Sequence, residues 1–221
     1  MDTNNRIRGN NFFYRGDYRQ AIDAFSLVLQ SEPDDATVYL NRGAAYAALG
    51  EYESAIADYD MAIELAPDSA VAFNNRGLAY AAQGDLQSAL KDYQQAIELN
   101  PEDAVFYNNR GAALEAQGDP DRALQNYDRA IELDPEYAQA YYARGSVRAS
   151  RGDNEQAITD YDEAVSLSPR FAAAYYSRGI AGGLQGNYGQ ALLDFETYLA
   201  LSPRASNRVQ VEAIVKRLRA K

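Results

Sequence analysis

A strict 34-residue period runs through this chain and constrains its fold more than any other feature. Four columns of residues keep the period in phase: one of proline, one of alanine and two of glycine. The first two columns are Pro33, Pro67, Pro101, Pro135, Pro169 and Pro203, and Ala21, Ala55, Ala89, Ala123, Ala157 and Ala191. The glycine columns are Gly9, Gly43, Gly77, Gly111, Gly145 and Gly179, and Gly16, Gly50, Gly84, Gly118, Gly152 and Gly186. Periods of this length are typical of stacked supersecondary repeats.

Each period predicts two helices joined by a short turn. Helix A runs from just after the proline to the second glycine, which suits a position with positive φ after a helix. Helix B then has apolar residues at helical spacing, such as Ala55, Ile56, Tyr59 and Ala62. An acidic residue before helix B could cap or charge-complement its start, at Asp17, Glu51, Asp85, Asp119 and Asp153.

This pattern resembles the tetratricopeptide repeat (TPR), whose 34-residue signature is W-x2-L-G-x2-Y, then A-x3-F, then P. The second repeat matches it with Tyr39, Arg42, Gly43, Tyr46, Ala55, Tyr59 and Pro67. Tyrosine or phenylalanine replaces the signature Trp in repeats 2 to 6. Arginine replaces the signature Leu in all six repeats, at Arg8, Arg42, Arg76, Arg110, Arg144 and Arg178.

The resemblance implies an all-α fold, a right-handed α-solenoid of six helix-turn-helix units whose A helices line a peptide-binding concave groove. The sequence predicts one domain, 1–221, with repeats 1 to 6 at 2–35, 36–69, 70–103, 104–137, 138–171 and 172–205. A helix over 206–221 should cap the array, because its apolar residues recur on one helical face. These residues are Val211, Ile214, Val215 and Leu218.

Composition narrows the possible functions. The chain has no cysteine and no histidine, so it lacks a thiolate nucleophile, the usual general base and the commonest metal ligand. We therefore expect no enzymatic activity, no cofactor and no metal site. The N-terminal sequence lacks the apolar segment of a signal peptide, so we expect a cytoplasmic protein. An excess of arginine over lysine suggests a GC-rich bacterial source.

Charge and hydropathy indicate the kind of partner. The formal net charge is −11, which argues against nucleic acid, whose binding needs a basic surface. The segment after residue 205 has a net positive charge, so residues 1–205 are more acidic than the chain as a whole and favour a neutral or basic protein partner. No apolar run is long enough for membrane insertion.

The repeated arginine predicts a structural lock between helices. A binding arginine would be needed in one or two repeats, whereas this one recurs in all six. Helix B offers aspartates to match, and a guanidinium fork suits a carboxylate. The predicted pairs are Arg42 with Asp58, Arg76 with Asp92, Arg144 with Asp160, and Arg178 with Asp194. Ligand contact is the alternative.

Other A-helix positions face the groove in the TPR family, where asparagine binds the backbone of an extended peptide. An amide both donates and accepts, so it can read a peptide unit without sequence preference. The candidate groove residues are Arg6, Asn10, Asn41, Asn74, Asn75, Leu78, Asn108, Asn109, Tyr142 and Tyr176. For the asparagines, the alternative is that they are solvated polar residues on a helix surface. The two tyrosines are candidate anchors for a partner, and the alternative is that they pack between adjacent A helices.

The leading hypothesis is a non-catalytic scaffold that binds a linear peptide segment of another protein. The first alternative is an architectural protein that self-associates through its terminal repeats or its acidic convex face. The second is a partial carboxylate clamp, in which Arg6, Asn10 and Asn41 match three family positions while Val71 and Asn75 replace two cations. The glycines at 182 and 183 indicate either close backbone approach or a soft helix.

Overall fold

The computed structural model describes residues 3–220, which form thirteen α-helices and no strand. The helices are α1 (Thr3–Arg15), α2 (Tyr18–Ser31), α3 (Ala36–Ala48), α4 (Tyr52–Leu65), α5 (Ala70–Ala82), α6 (Leu86–Leu99), α7 (Ala104–Gln117), α8 (Pro120–Leu133), α9 (Ala138–Ser150), α10 (Asn154–Leu167), α11 (Ala172–Leu184), α12 (Tyr188–Leu201) and α13 (Arg208–Arg219). The odd-numbered helices α1 to α11 are the A helices and the even-numbered ones the B helices. The predicted all-α fold is confirmed.

The helices belong to two compact bodies. The N-terminal body ends at Gly118 and contains α1 to α7, and the C-terminal body begins at Asp119 and contains α8 to α13. Within each body consecutive helices pack together, and successive A helices also meet, as α1 does with α3 and α9 with α11. Within each body, a helix therefore buries its apolar face against its sequence neighbours. The repeat boundaries and the assignment of the chain to one domain stay predictions.

The turn between the two helices of a repeat depends on glycine. Gly84, after α5, has a φ of 85°, and the other five glycines of its column are also in the left-handed region. Residues with a Cβ rarely adopt this backbone conformation. Helix B then begins with a side-chain cap in repeat 3, where Asp85 accepts a hydrogen bond from the Ser88 amide at 3.1 Å. Asp119 and Asp153 cap in the same way. In the described structure Asp17 and Glu51 make no such cap bond.

The first glycine column lies where helices A and B cross. A Cβ placed on Gly43 would be 2.7 Å from Cε1 of Tyr59, and one on Gly77 would be 2.8 Å from Cε1 of Tyr93. These tyrosines are almost fully buried, at 2% and 1% exposure. The predicted packing role of the glycine is confirmed, because any side chain there would displace a core ring.

The C-terminal helix α13 covers the last hairpin. Val211 and Val215 are buried in one cluster with Ala191 and Phe195 of α12, and partly buried side chains complete the contact. Those side chains include Ile214 and Leu218, so all four predicted apolar residues pack inward. The predicted capping contact is confirmed.

Candidate functional site

The structure brings together the four predicted arginine–aspartate pairs. Arg76 Nε donates to Asp92 Oδ2 at 2.7 Å, and its Nη2 donates to Asp92 Oδ1 at 2.8 Å. The other three pairs make the same two-pronged contact: Arg42 with Asp58, Arg144 with Asp160, and Arg178 with Asp194. The four aspartates are 1% to 4% exposed, so each buried carboxylate has a fixed cation beside it.

The same arginines reach a second partner that the sequence reasoning missed. Arg76 Nη1 donates to Asp60 of the preceding B helix at 2.6 Å. The equivalent partner lies sixteen residues before each arginine: Ser26 for Arg42, Gln94 for Arg110, Asp128 for Arg144 and Asp162 for Arg178. Arg76 thus joins the B helices of two consecutive repeats through the A helix between them. The sequence does contain a signal for this second partner, because polar residues recur with the 34-residue period at 26, 60, 94, 128 and 162.

Aromatic rings cover the faces of these guanidinium groups. The guanidinium carbon of Arg76 lies 5.5 Å from the ring centre of Phe73 and 6.0 Å from that of Tyr80. Arg42 lies in the same way over Tyr39 and Tyr46. The hydrogen bonds that Arg76 donates to Asp92, and to a smaller extent the one it donates to Asp60, raise the pKa of Arg76 further above its usual range. In repeats 2 and 3 the arginine donates to side chains of two helices and lies within 6.0 Å of two ring centres, which favours a structural role over ligand contact.

Two cavities open between successive A helices of the N-terminal body. The first groove cavity, of about 170 Å³, is lined by Asn10, Phe13, Tyr14, Phe25, Asn41 and Ala44. The second groove cavity, of about 330 Å³, is lined by Ala44, Ala47, Tyr52, Tyr59, Asn75, Leu78, Ala79 and Ala82.

The two cavities are built from equivalent positions one repeat apart. Asn75 follows Asn41 by 34 residues, Tyr59 follows Phe25, and Ala47 follows Phe13. The replacement of the Phe13 ring by the Ala47 methyl group accounts for more space in the second cavity. The B-helix walls could not be assigned from sequence, since only tertiary packing brings Phe25 and Tyr59 beneath the A helices.

The predicted asparagines separate into surface and buried positions. Asn41 is half-buried and donates to Asn10 Oδ1 at 3.4 Å, so it lies at the first groove cavity, while Asn75 lines the second. Asn74 differs from expectation, because it is only 5% exposed. Its amide donates to Asn75 Oδ1 at 3.3 Å and accepts from Asn109 at 2.9 Å. Asn74 therefore lies beneath the groove surface and supports Asn75 and Asn109.

Asn108, one period after Asn74, is half-buried. Its Oδ1 is buried and has no hydrogen-bond partner in the part of the chain that the structure describes. Binding of a peptide backbone by this amide stays a prediction. Leu78 is 44% exposed at the second groove cavity, where it offers an apolar contact.

Tyr142 and Tyr176 occupy the same column as Asn74 and Asn108 but pack as ordinary aromatic neighbours. The Tyr142 ring centre lies 4.8 Å from that of Phe171, and the Tyr176 ring centre lies 5.0 Å from that of Tyr198. Both tyrosines are partly buried against core clusters of the C-terminal body. The structure therefore favours the packing alternative over the anchor role for these two rings.

Arg6 is already neutralised within the chain. Its Nη2 forms ion pairs with Glu32 at the end of α2 and with Asp35 before α3. Hydrogen bonding to Glu32 raises the pKa of Arg6. A ligand carboxylate would have to compete with two carboxylates for this cation.

Comparison with protein families identifies the fold family. Family models described as tetratricopeptide repeat match residues 8–70, 109–169 and 142–206, and related ones match 70–103 and 92–125. The chain belongs to the tetratricopeptide repeat family. Comparison with curated proteins found no match.

Solved TPR structures resemble this chain over most of its length. MamA is 26% identical with a TM-score of 0.65, and the match covers 78% of this chain and 98% of MamA. PilW, a type IV pilus biogenesis factor, is 19% identical with a TM-score of 0.83 over 96% of this chain and 99% of its own. YrrB, a TPR protein with an unusual peptide-binding site, is 24% identical with a TM-score of 0.62, and the match covers 87% of this chain and 100% of YrrB. These likenesses confirm the predicted TPR solenoid fold.

The helices of residues 3–220 are all too short or too polar to cross a membrane. The acidic side chains of the same residues nowhere form a group of three or more placed to hold a metal ion.

Proposed function

We propose that this TPR protein is a non-catalytic interaction scaffold whose A-helix surface binds an extended peptide segment of another protein. The pair of equivalent cavities between successive A helices carries this proposal. Each cavity has an asparagine amide at its edge, Asn41 in the first and Asn75 in the second. A concave apolar pocket with one placed polar group is the usual form of a peptide side-chain site.

The spacing of the cavities suits a ligand in extended conformation. Packed helices lie roughly 8–10 Å apart, and a polyproline II segment advances about 3.1 Å per residue with about three residues per turn. Side chains three residues apart would therefore enter neighbouring cavities. The first cavity suits a small apolar group among its rings, and the larger second cavity suits a branched or aromatic side chain.

Charge favours a neutral or basic ligand. The chain is strongly acidic overall, and the two cavities are lined by apolar and amide side chains without a cation. An acidic peptide would meet long-range repulsion and find no partner for its carboxylates, whereas a basic one would associate faster at low salt.

The test is a peptide library displayed against the protein, followed by calorimetry of the selected peptide. Asn41→Ala combined with Asn75→Ala should weaken binding about tenfold or more, because two backbone hydrogen bonds of about 1 kcal/mol each are lost. Ala47→Phe should block the second cavity by restoring the ring found at Phe13. Asn4→Ala, at an exposed asparagine outside both cavities, is the matched control. Equal affinity in all four proteins would refute the groove assignment.

Self-association is the second candidate function, favoured by apolar side chains exposed at the C-terminal end. Leu193 on α12 is 57% exposed and Val209 on α13 is 75% exposed. Light scattering over a hundredfold range of concentration tests it: a constant monomer mass would exclude self-assembly as the main role. Val209→Asp should dissociate any oligomer built on this surface. We do not adopt the carboxylate clamp, because Arg6 is engaged by Glu32 and Asp35.

A further inference from the structure

The buried tyrosine of helix B has different surroundings in repeats 2 and 5. Tyr59 and Tyr161 occupy the same position of the repeat, three periods apart, and each is 2% exposed. Both rings lie beneath the A helices, and Tyr59 lines the second groove cavity. A buried phenol hydroxyl normally has a hydrogen-bond partner, so the partners of these two hydroxyls can be compared directly.

In repeat 5 the hydroxyl is satisfied by serine. Tyr161 Oη donates to Ser146 Oγ of α9 at 3.4 Å. Burial raises the pKa of Tyr161, whereas hydrogen bonding with Ser146, and to a smaller extent with Ser177 of α11, lowers it. Two successive A helices therefore present hydroxyl groups to this phenol.

Repeat 2 has neither serine at the equivalent positions. Ala44 corresponds to Ser146, and Asn75 corresponds to Ser177. Tyr59 Oη makes no hydrogen bond with any residue that the structure describes. Burial raises the pKa of Tyr59 and the charge of Asp58 adds to the effect, without a contribution from a hydrogen bond.

The Tyr59 hydroxyl is accessible from the second groove cavity. In the described part of the chain, the enclosed side-chain atoms without a hydrogen-bond partner are Arg6 Nε and Asn108 Oδ1. Tyr59 Oη is not one of these enclosed atoms although it also lacks a partner, so it keeps access to solvent. The cavity of about 330 Å³ that Tyr59 lines provides this access. A ligand that displaces water from such a hydroxyl has to replace its hydrogen bond.

A second polar group of the same cavity can also bind a ligand. Asn75 Oδ1 accepts from Asn74 at 3.3 Å, whereas Asn75 Nδ2 donates to no residue that the structure describes. The other lining residues are Ala44, Ala47, Tyr52, Leu78, Ala79 and Ala82, and none is charged. A carboxylate or an ammonium group would therefore be buried without a counter-charge, which favours a neutral polar group.

We propose that the second groove cavity binds an amide side chain of the peptide, asparagine or glutamine, and that Tyr59 determines this specificity. This assignment rests on the proposed function of the groove. The amide oxygen accepts from Tyr59 Oη, as Ser146 accepts from Tyr161, and Asn75 supplies a second donor. The amide group is branched and planar, so it also suits the shape of the cavity. A leucine or methionine side chain would instead leave the phenol hydroxyl without a partner.

The test is a pair of selections from one library of random nonapeptides, against the full wild-type chain and against Tyr59→Phe. The wild-type chain should select asparagine or glutamine at one fixed position of the peptide. Tyr59→Phe should select leucine or methionine there, because its ring offers no hydroxyl. Calorimetry of matched peptides, asparagine against leucine and glutamine against methionine, should show about tenfold tighter binding of the amide to the wild-type chain. Tyr59→Phe should show no such preference.

Two further variants make the assignment specific. Tyr161→Phe is the same change at the same position of the repeat, outside the lining of the second groove cavity, and should keep the wild-type preference. Ala44→Ser places in repeat 2 the hydroxyl that bonds Tyr161 in repeat 5, and should reduce the preference for the amide.

The free protein provides a measurement that does not depend on a peptide. Tyr59→Phe should not lower the melting temperature, because no hydrogen bond within the protein is lost. A lower melting temperature would reveal such a bond and overturn the proposal.

The binding data separate this proposal from the groove function. Peptides that depend on Asn41 and Asn75 but show no amide preference would overturn the assignment of Tyr59 and leave the groove function standing. An amide preference that persists in Tyr59→Phe would also overturn it, since Asn75 alone would then bind the amide. Failure to select any peptide would overturn both proposals.

Discussion

At the residue scale, the repeated arginine combines three roles that lysine could not. Arg76 bonds Asp92 with two donors, bonds Asp60 with a third, and lies between the rings of Phe73 and Tyr80. An ammonium group is a point charge without a planar fork or a flat face. The arginine therefore joins three helices, and the lock proposed from sequence extends between repeats as well as within one.

Removal of Arg76 should be costly because Asp92 would stay buried without a cation. We expect Arg76→Ala to lower the free energy of unfolding by about 3–5 kcal/mol, measured by urea denaturation. Arg151→Ala removes an exposed ion pair with Asp121 and should cost below about 1 kcal/mol. Similar losses in the two variants would contradict the lock.

Buried tyrosines make the fold sensitive to alkali. Burial raises the pKa of Tyr93 and Tyr59 well above the usual value, while the unfolded chain ionises near pH 10. The contribution of these tyrosines to the free energy of unfolding is therefore fully present below about pH 10 and decreases as the pH rises toward their raised folded pKa. At pH 11 the loss should be about 1 kcal/mol per tyrosine. Urea midpoints at neutral pH and at pH 11 measure the loss. Tyr93→Phe should reduce it, whereas Tyr14→Phe, at an exposed ring, should not.

At the element scale, glycines of the A helices have opposite roles. Gly77 lies against the Tyr93 ring, whereas Gly183 has open space around its Cα. We expect Gly183→Ala to stabilise the protein by about 0.5–1 kcal/mol through helix propensity. Gly77→Ala should destabilise it by about 1–3 kcal/mol through overpacking. Thermal unfolding of the two variants measures both effects, and a destabilised Gly183→Ala would mean that the glycine is needed in α11.

At the scale of the whole molecule, contacts within each body link helices that are neighbours in the chain. Damage in one hairpin should therefore stay local. Val211→Asp introduces a charge at a fully buried position of α13 and should release this helix from α12. Hydrogen exchange followed by mass spectrometry should show faster exchange in α12 and α13 with α2 to α5 unchanged. Uniformly faster exchange would indicate one cooperative unit.

The sequence predicted the parts of this molecule that depend on local spacing. The period, the two helices per repeat and the positive φ at the turn glycines follow from residues close together in the chain. The arginine–aspartate contacts were also accessible, since two columns with the same period must meet in the same way in every repeat. Charge and composition predicted a protein partner rather than nucleic acid. The neutral or basic character of that partner stays a prediction.

Tertiary packing alone decided what each of these side chains faces. Asn74 and Asn75 are adjacent in sequence, yet one is buried and the other lines a cavity. Tyr142 is a candidate anchor by sequence, with packing as the alternative, and it lies in an aromatic cluster. A cavity lies beside Gly182 and Arg178. Helical periodicity specifies on which face of its helix a side chain lies. The space available to that side chain depends on the side chains of neighbouring helices, which the local sequence pattern does not contain.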